Sequence, residues 1–103
     1  MEAWFIEAED TVEWVQAGAK LIDVRSAGEF AAGAIPGAIH VPLALVPTQI
    51  LDHVGPDDTV ICYCLSGALA DRAAAWLREN GVEAAYNGGG VYSLLEVWAA
   101  LET

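Results

Sequence analysis

The chain has 103 residues, 55% of them hydrophobic, with 15 acidic and only four basic side chains and a formal net charge of −11 at pH 7. This length suits one domain with one core, and we predict a single domain over residues 1–103. Nucleic-acid binding requires Lys and Arg side chains that neutralise phosphates, so the composition argues against a nucleic-acid partner.

Membrane insertion is also disfavoured. The longest apolar candidate, Ala31–Pro47, is interrupted by glycine and proline and does not reach the ~18 uninterrupted residues of a membrane helix. The amino terminus lacks the basic segment and apolar run of a signal peptide. We therefore expect a cytoplasmic monomer, or a periplasmic protein if a signal peptide has been removed.

The first half of the chain alternates short apolar runs with helical patterns. The predicted elements are an edge strand at Trp4–Ile6, a helix at Thr11–Ala17, a strand at Lys20–Arg25 and a short helix ending near Ala32. Ser26 and Glu29 have the spacing of a capping box at the start of that short helix. We interpret Asp23, Arg25 and Glu29 as structural residues that form an ion pair and turn hydrogen bonds.

The middle of the chain is predicted to consist of turns and short elements. Residues 34–43 read as a turn, a very short strand and a second turn, and a helix is predicted from Pro47 to His53. We expect His40 to be a packed, hydrogen-bonded side chain and His53 to lie on the surface.

The stretch from Val60 to Asn80 predicts a buried strand, a short turn and a helix, and Cys64 lies where the strand gives way to the turn. Backbone N–H groups of the turn and the positive end of the helix converge there, which favours a reactive thiolate. Cys62 lies within the strand and is predicted to be a small buried hydrophobe. No second cluster of cysteine or histidine accompanies the pair, so we expect no metal and no cofactor.

The last part predicts a strand at Glu83–Tyr86 and a terminal helix at Val91–Leu101. Between them, a glycine cluster at Asn87–Gly90 allows either a close backbone approach or a turn with positive φ. The glycines do not match a phosphate-binding loop. Strands that alternate with helices predict an α/β fold, an open and mostly parallel sheet with helices on both faces. Ligands of such sheets bind outside the carboxyl ends of the strands, which is where Cys64 is expected.

Four motifs in this order resemble a single-domain rhodanese of the small thiosulfate sulfurtransferase type, similar to the phage-shock form. They are Leu21-Ile22-Asp23-Val24-Arg25 with Glu29-Phe30, Gly33-x-Ile35-Pro36-Gly37-Ala38 with Val41-Pro42, Val60-Ile61-x-Tyr63-Cys64-x-x-Gly67, and Gly89-Gly90. The resemblance covers roughly residues 4–101 and implies a parallel sheet of about five strands.

The resemblance also implies a reaction. Cys64 would accept a sulfane sulfur from thiosulfate or a related donor, become a persulfide, and pass the sulfur to cyanide, a thiol or a sulfur-accepting protein. The residues implied in substrate binding are those of the loop after the cysteine, together with one helix residue: Leu65, Ser66, Gly67, Ala68, Leu69 and Arg72.

Departures from the family pattern lie in that loop. Many active members carry a basic residue directly after the cysteine and another at the end of the loop, where this chain has Leu65 and Leu69. A charge-assisted hydrogen bond is worth ~1.5–3 kcal/mol, so we expect thiosulfate binding to be weaker by one or two orders of magnitude. Arg72 could compensate if it turned toward the loop, whereas Asp71 opposes an anionic substrate. Leu94 replaces a usual tryptophan, which we expect to affect packing only.

Three functional hypotheses follow. The first is sulfur transfer through a Cys64 persulfide, and the second is a non-catalytic rhodanese module or a protein-to-protein sulfur carrier. The third is a phosphatase or arsenate reductase of the related fold, which would need arginine where this chain has Ala70.

Overall fold

The computed structural model describes residues 4–101, which carry five α-helices and four β-strands. In chain order these are α1 (Ala8–Gln16), β1 (Lys20–Asp23), α2 (Ala27–Ala32), β2 (Ile39–His40), α3 (Val46–Gln49), β3 (Val60–Cys64), α4 (Ala68–Glu79), β4 (Ala85–Gly90) and α5 (Val91–Leu101). Two 3-10 turns, Leu43–Leu45 and Ile50–Asp52, flank α3.

The strands form one parallel sheet in the order β2-β1-β3-β4. The central pair aligns Ile22 with Cys62 and Asp23 with Tyr63. The open parallel sheet predicted from the alternation of strands and helices is therefore confirmed.

Helices cover both faces of this sheet, as predicted, because its side chains alternate between two apolar clusters. On one face, α4 contributes Ala70, Ala73, Ala74 and Leu77 to a cluster with Ile22, Val60 and the two cysteines. On the other face, α1 and α5 contribute Val12, Val91 and Leu94 to a cluster with Leu21, Ile61 and Tyr63.

The count of about five strands is wrong for the described residues, which form a sheet of four. The predicted first strand makes a single parallel bridge between Phe5 and Asn87 at the open edge of β4. The Ile6 N–H donates to the Asn87 carbonyl at 2.9 Å, and the Asn87 N–H donates to the Trp4 carbonyl at 2.8 Å. The edge contact is present, but it is too short to form a strand.

Two helix predictions need correction. The first helix begins at Ala8 rather than Thr11. The helix predicted from Pro47 to His53 is divided into α3 and a 3-10 turn that ends at Asp52.

Two strand predictions also differ. Strand β1 ends at Asp23 rather than Arg25, because the Arg25 N–H turns back onto the Asp23 carboxylate at 2.9 Å. Strand β4 spans Ala85–Gly90 rather than Glu83–Tyr86, so the glycine cluster belongs to the sheet itself. The close backbone approach predicted for these glycines is present, since a Cβ on Gly88 would lie 2.7 Å from Cγ2 of Ile61.

The strand order places a topological switch point between β1 and β3. From β1 the chain crosses to β2 on one side, and from β2 it crosses back to β3 on the other. The connections that leave the carboxyl ends of β1 and β3 therefore diverge, and a crevice opens between them. Asp23 ends β1 and Cys64 ends β3, so both lie at this crevice.

Candidate active site

The segment from Cys64 to Leu69 forms a loop that closes on the cysteine sulfur. Strand β3 ends at Cys64, as predicted, and α4 begins at Ala68. The Gly67 N–H donates to Cys64 Sγ at 3.0 Å. Gly67 has a φ of +99°, which a residue with a Cβ rarely adopts, and this conformation turns the chain back over the sulfur.

The first turn of α4 adds further donors. The opening N–H groups of a helix have no carbonyl partner within the helix, and the helix dipole places partial positive charge there. Gly67 caps α4 without any side-chain hydrogen bond. Negative charge at this loop would therefore be stabilised by backbone N–H groups and not by a side chain.

Cys64 is only 1% exposed, although attack on a sulfur donor needs an accessible thiolate. Its side chain packs into the apolar cluster that includes Val24, Val41 and Ala70. Cys62 is also buried, as predicted, and burial together with the neighbouring Cys64 raises the pKa of its thiol to about 12. Both thiols are free.

The rim of the loop is apolar. Leu65 is 50% exposed, and Leu69, Ser66 and Ala68 are exposed as well. Leu65 borders an open groove of about 220 Å³ that is also lined by Tyr92 and Leu95. The rim thus combines backbone N–H groups with leucine side chains.

Arg72 lies outside this arrangement. It is exposed and lines a shallow groove with Leu43, Val46, Pro47 and Trp76. Within residues 4–101 the ion pairs are Lys20–Asp58 and Arg25–Asp23, so Arg72 is not held by a carboxylate. The structure shows no contact that turns Arg72 onto the loop.

Asp23 and Arg25 form a buried ion pair at the crevice. Arg25 Nη2 lies 2.7 Å from Asp23 Oδ2 and also donates to the Gly33 carbonyl at 2.7 Å. Burial acts to raise the pKa of Asp23, but hydrogen bonds from Arg25 outweigh it and hold that pKa below its ordinary value. The pair ties the end of β1 to the segment that follows α2.

The remaining polar residues near the crevice serve the framework. The predicted capping box is present, with Ser26 and Glu29 exchanging backbone-to-side-chain hydrogen bonds of 3.2 Å. His40 stacks on Phe30 and its Nε2 lies 2.9 Å from the Arg25 carbonyl, whereas His53 is exposed, both as predicted. The Tyr63 hydroxyl accepts from the Ile35 N–H at 3.1 Å, and burial raises the pKa of Tyr63.

Asn87 is the residue that the sequence analysis did not single out. It is 3% exposed, and its amide Nδ2 donates to the Gly67 carbonyl at 3.0 Å. The available signal was its position, a polar side chain at the carboxyl edge followed by three glycines. Nothing in the spacing indicated that its side chain would reach Gly67, twenty residues earlier in the chain.

Three other features of residues 4–101 bear on where else a functional site could lie. No group of three or more His, Cys, Asp or Glu side chains in this range is arranged to hold a metal ion. None of the helices described is long and apolar enough to cross a bilayer. A cavity of about 470 Å³ lined by Trp14, Tyr86 and Asp57 lies at the amino ends of the strands, away from Cys64.

A parallel α/β sheet with a cysteine held in a strand-to-helix loop defines a protein of the rhodanese fold. Residues 5–96 match the rhodanese-like domain, so the chain belongs to the rhodanese family. The resemblance drawn from the four motifs is confirmed.

Two relatives by sequence and one solved structure illustrate what this chain is similar to. A sulfurtransferase of Allochromatium vinosum is 38% identical over 61 residues, 59% of this chain and 56% of that protein. A tRNA uridine(34) hydroxylase of Synechococcus elongatus is 34% identical over 90 residues, 80% of this chain and 33% of that protein. The human single-domain sulfurtransferase TSTD1 superposes with a TM-score of 0.78 at 26% identity, covering 98% of this chain and 99% of that chain.

The rhodanese family to which this chain belongs thus includes proteins that are named sulfurtransferases. The chain spans about half the length of curated relatives such as the A. vinosum protein. The tRNA uridine(34) hydroxylases show that domains similar to this one also occur in proteins with another named activity.

The structure offers nothing for the phosphatase or arsenate reductase hypothesis. Ala70, at the position where that chemistry needs an arginine, is fully buried against the sheet. No guanidinium can therefore reach into the loop from this position.

Proposed function

We propose that this chain is a sulfurtransferase that moves a sulfane sulfur from thiosulfate or a related donor to a thiophilic acceptor through a persulfide on Cys64. The observation that carries the proposal is the 3.0 Å contact between the Gly67 N–H and Cys64 Sγ at the switch-point crevice. A backbone donor aimed at sulfur favours the anionic form of that sulfur, which is the form that attacks.

The chemistry takes two displacement steps. The Cys64 thiolate attacks the outer sulfur of thiosulfate, the new S–S bond forms, and the original S–S bond breaks as sulfite leaves with its electron pair. Cyanide or a thiolate acceptor then attacks the outer sulfur of the persulfide, and the Cys64 thiolate leaves. Electrons and charge balance without a cofactor.

The loop supports the anionic states of both steps by its main chain. The thiolate and the persulfide each carry negative charge, the Gly67 N–H donates to the sulfur at 3.0 Å, and Cys64 lies close in sequence to the positive end of α4. Because Cys64 is 1% exposed, reaction at its sulfur requires the loop of residues 65–69, exposed except at Gly67, to move.

A second candidate is a sulfur carrier or non-catalytic module that works with a protein partner. It is favoured by the exposed Leu65 and Leu69 on the rim of the loop, which suit an apolar protein surface better than a small anion, although Arg25 lines the same groove as Leu65. The retained cysteine and its Gly67 donor favour the catalytic alternative.

Intact-mass measurement separates the two. Wild type, Cys64→Ser and the matched control Cys62→Ser are each incubated with thiosulfate and then with cyanide. We expect wild type and Cys62→Ser to gain one sulfur atom that cyanide removes, and Cys64→Ser to gain none.

Two results would count against sulfur transfer from thiosulfate. A gain that survives in Cys64→Ser would place the sulfur on another residue. An unmodified wild type whose Cys64 still reacts with iodoacetamide would favour the carrier, and a persulfidated thiol would then replace thiosulfate as the donor in the same assay.

A further inference from the structure

Asn87 joins the last strand to the loop with both ends of its amide. Nδ2 donates to the Gly67 carbonyl at 3.0 Å, and Oδ1 accepts from the Gly89 N–H at 2.8 Å. The side chain is 3% exposed, so neither bond has water as a ready substitute. A buried amide with both of its ends engaged is fixed in one orientation.

The residue that Asn87 holds is the one that contacts the sulfur. Gly67 donates its N–H to Cys64 Sγ at 3.0 Å and gives its carbonyl to Asn87. The same carbonyl accepts the Asp71 N–H at 3.0 Å, the first hydrogen bond of α4. With its carbonyl held from two sides, Gly67 keeps the left-handed conformation that aims its N–H at the sulfur.

Close backbone packing shows that the loop rests directly on β4. A Cβ on Gly67 would lie 3.3 Å from the Cα of Gly89, and one on Gly90 would lie 2.6 Å from the Leu65 carbonyl oxygen. Asn87 adds a specific polar bond to this steric contact. Main-chain bonds from Asn87 to Trp4 and Ile6 lie on its other side and do not depend on the side chain.

We propose that Asn87 is a positioning residue that sets the Gly67 N–H on the Cys64 sulfur and thereby controls the reactivity of the thiolate. The inference rests on the proposed sulfur transfer for its kinetic readout, but the placement of the Gly67 N–H can be measured without turnover. Asn87 touches neither the sulfur donor nor the sulfur itself in this scheme.

The test is Asn87→Leu, which keeps approximate size and removes both amide bonds. We expect kcat with thiosulfate to fall about tenfold while KM stays close to that of the wild type, because the donor site is unchanged. Hydrogen exchange at the Gly67 amide, followed by NMR, should accelerate by about tenfold as well. The rate of Cys64 alkylation by iodoacetamide should differ from that of the wild type, because the Gly67 N–H is no longer held on the sulfur and the loop that covers the sulfur is freed.

Val82→Ala is the matched control, because Val82 is buried at the far end of α4 and its truncation lowers stability without touching the loop. It should leave kcat and the exchange of Gly67 near the values of the wild type. If Asn87→Leu does not fold, Asn87→Ser takes its place with the same expected direction.

The proposal is overturned if the folded Asn87 variant keeps wild-type exchange at Gly67 and wild-type alkylation of Cys64, or if Val82→Ala reproduces its losses. Failure of the proposed function gives a different pattern. In that case the wild type transfers no sulfur from thiosulfate, yet Gly67 exchange and Cys64 alkylation still separate Asn87→Leu from its control.

Discussion

Leu65 makes the first position of the loop after Cys64 apolar and uncharged. It directly follows Cys64, the proposed nucleophile, and its side chain is 50% exposed. A leucine there neither pairs with an anion nor competes for one. The loop therefore depends on N–H groups, which stabilise charge but add little attraction at a distance.

A cation at this position should restore attraction for thiosulfate. We expect Leu65→Lys to lower the KM for thiosulfate about tenfold, since a charged donor adds a hydrogen bond worth ~1.5–3 kcal/mol. Steady-state kinetics with cyanide as acceptor measure this. Leu51→Lys is the control, because Leu51 is 48% exposed and lies in the 3-10 turn that follows α3. Equal effects of the two variants would mean that net charge, and not the loop, limits binding.

Residue-level prediction succeeded where the pattern is local. The capping box of Ser26 and Glu29 depends on a spacing of three residues, and the structure confirms it. The burial of Cys64 depends on its packing against Val24, Val41 and Ala70, and the reach of Asn87 depends on how β4 packs on the loop, which are both tertiary contacts. No local spacing encodes those contacts.

The sequence did not predict the full length of strand β4, because its glycines are required by close packing and not by strand propensity. A run of three glycines has weak strand propensity, so the sequence favours a turn. The sheet accepts the glycines because side chains at Gly88 and Gly90 would strike Ile61 and the Leu65 carbonyl. Tertiary packing here overrides local preference.

Gly90 and Gly28 form a matched pair for testing this. A Cβ at Gly90 would lie 2.6 Å from the Leu65 carbonyl oxygen, whereas one at Gly28, within α2, meets nothing within 4 Å. We expect Gly90→Ala to destabilise the protein by ~1–3 kcal/mol and to slow Cys64 alkylation, because the loop must shift. Gly28→Ala should stabilise it by about 0.5–1 kcal/mol.

Thermal unfolding and iodoacetamide kinetics of the two variants measure both effects. An alanine at Gly90 that leaves stability and alkylation unchanged would show that the loop does not rest on β4 as described.

At the scale of the whole molecule, lowering the pH has two opposing effects on stability, and one of them comes from a buried ion pair. The chain carries 15 acidic groups and a net charge of −11, so partial protonation relieves repulsion as the pH falls. The Asp23–Arg25 pair acts in the opposite sense, since the pKa of Asp23 is held below its ordinary value. Such a group contributes stability above its unfolded pKa of ~3.9 and loses it as the pH falls through the folded value.

Asp23→Asn should therefore lower the free energy of unfolding by ~3–5 kcal/mol at pH 7, because Arg25 is left buried without its partner charge. The stability difference from wild type should stay constant down to about pH 5 and shrink at lower pH. Urea unfolding across this range measures it. Asp52→Asn, at an exposed position, is the control and should give only a small difference in stability at pH 7. A constant gap for Asp23→Asn down to pH 3 would contradict the ion-pair account.

The sequence by itself determined the α/β class, the strand-to-helix junction at Cys64 and the family. Each of these depends on local periodicity or on short motifs that can be read directly from the order of residues. Tertiary structure alone decided that Cys64 is buried, that the glycine cluster completes the sheet, that Arg72 stays away from the loop and that Asn87 reaches Gly67. The physical reason is that each of these facts depends on contacts between residues far apart in the sequence, such as Asn87 and Gly67, and close packing of the whole fold fixes those contacts.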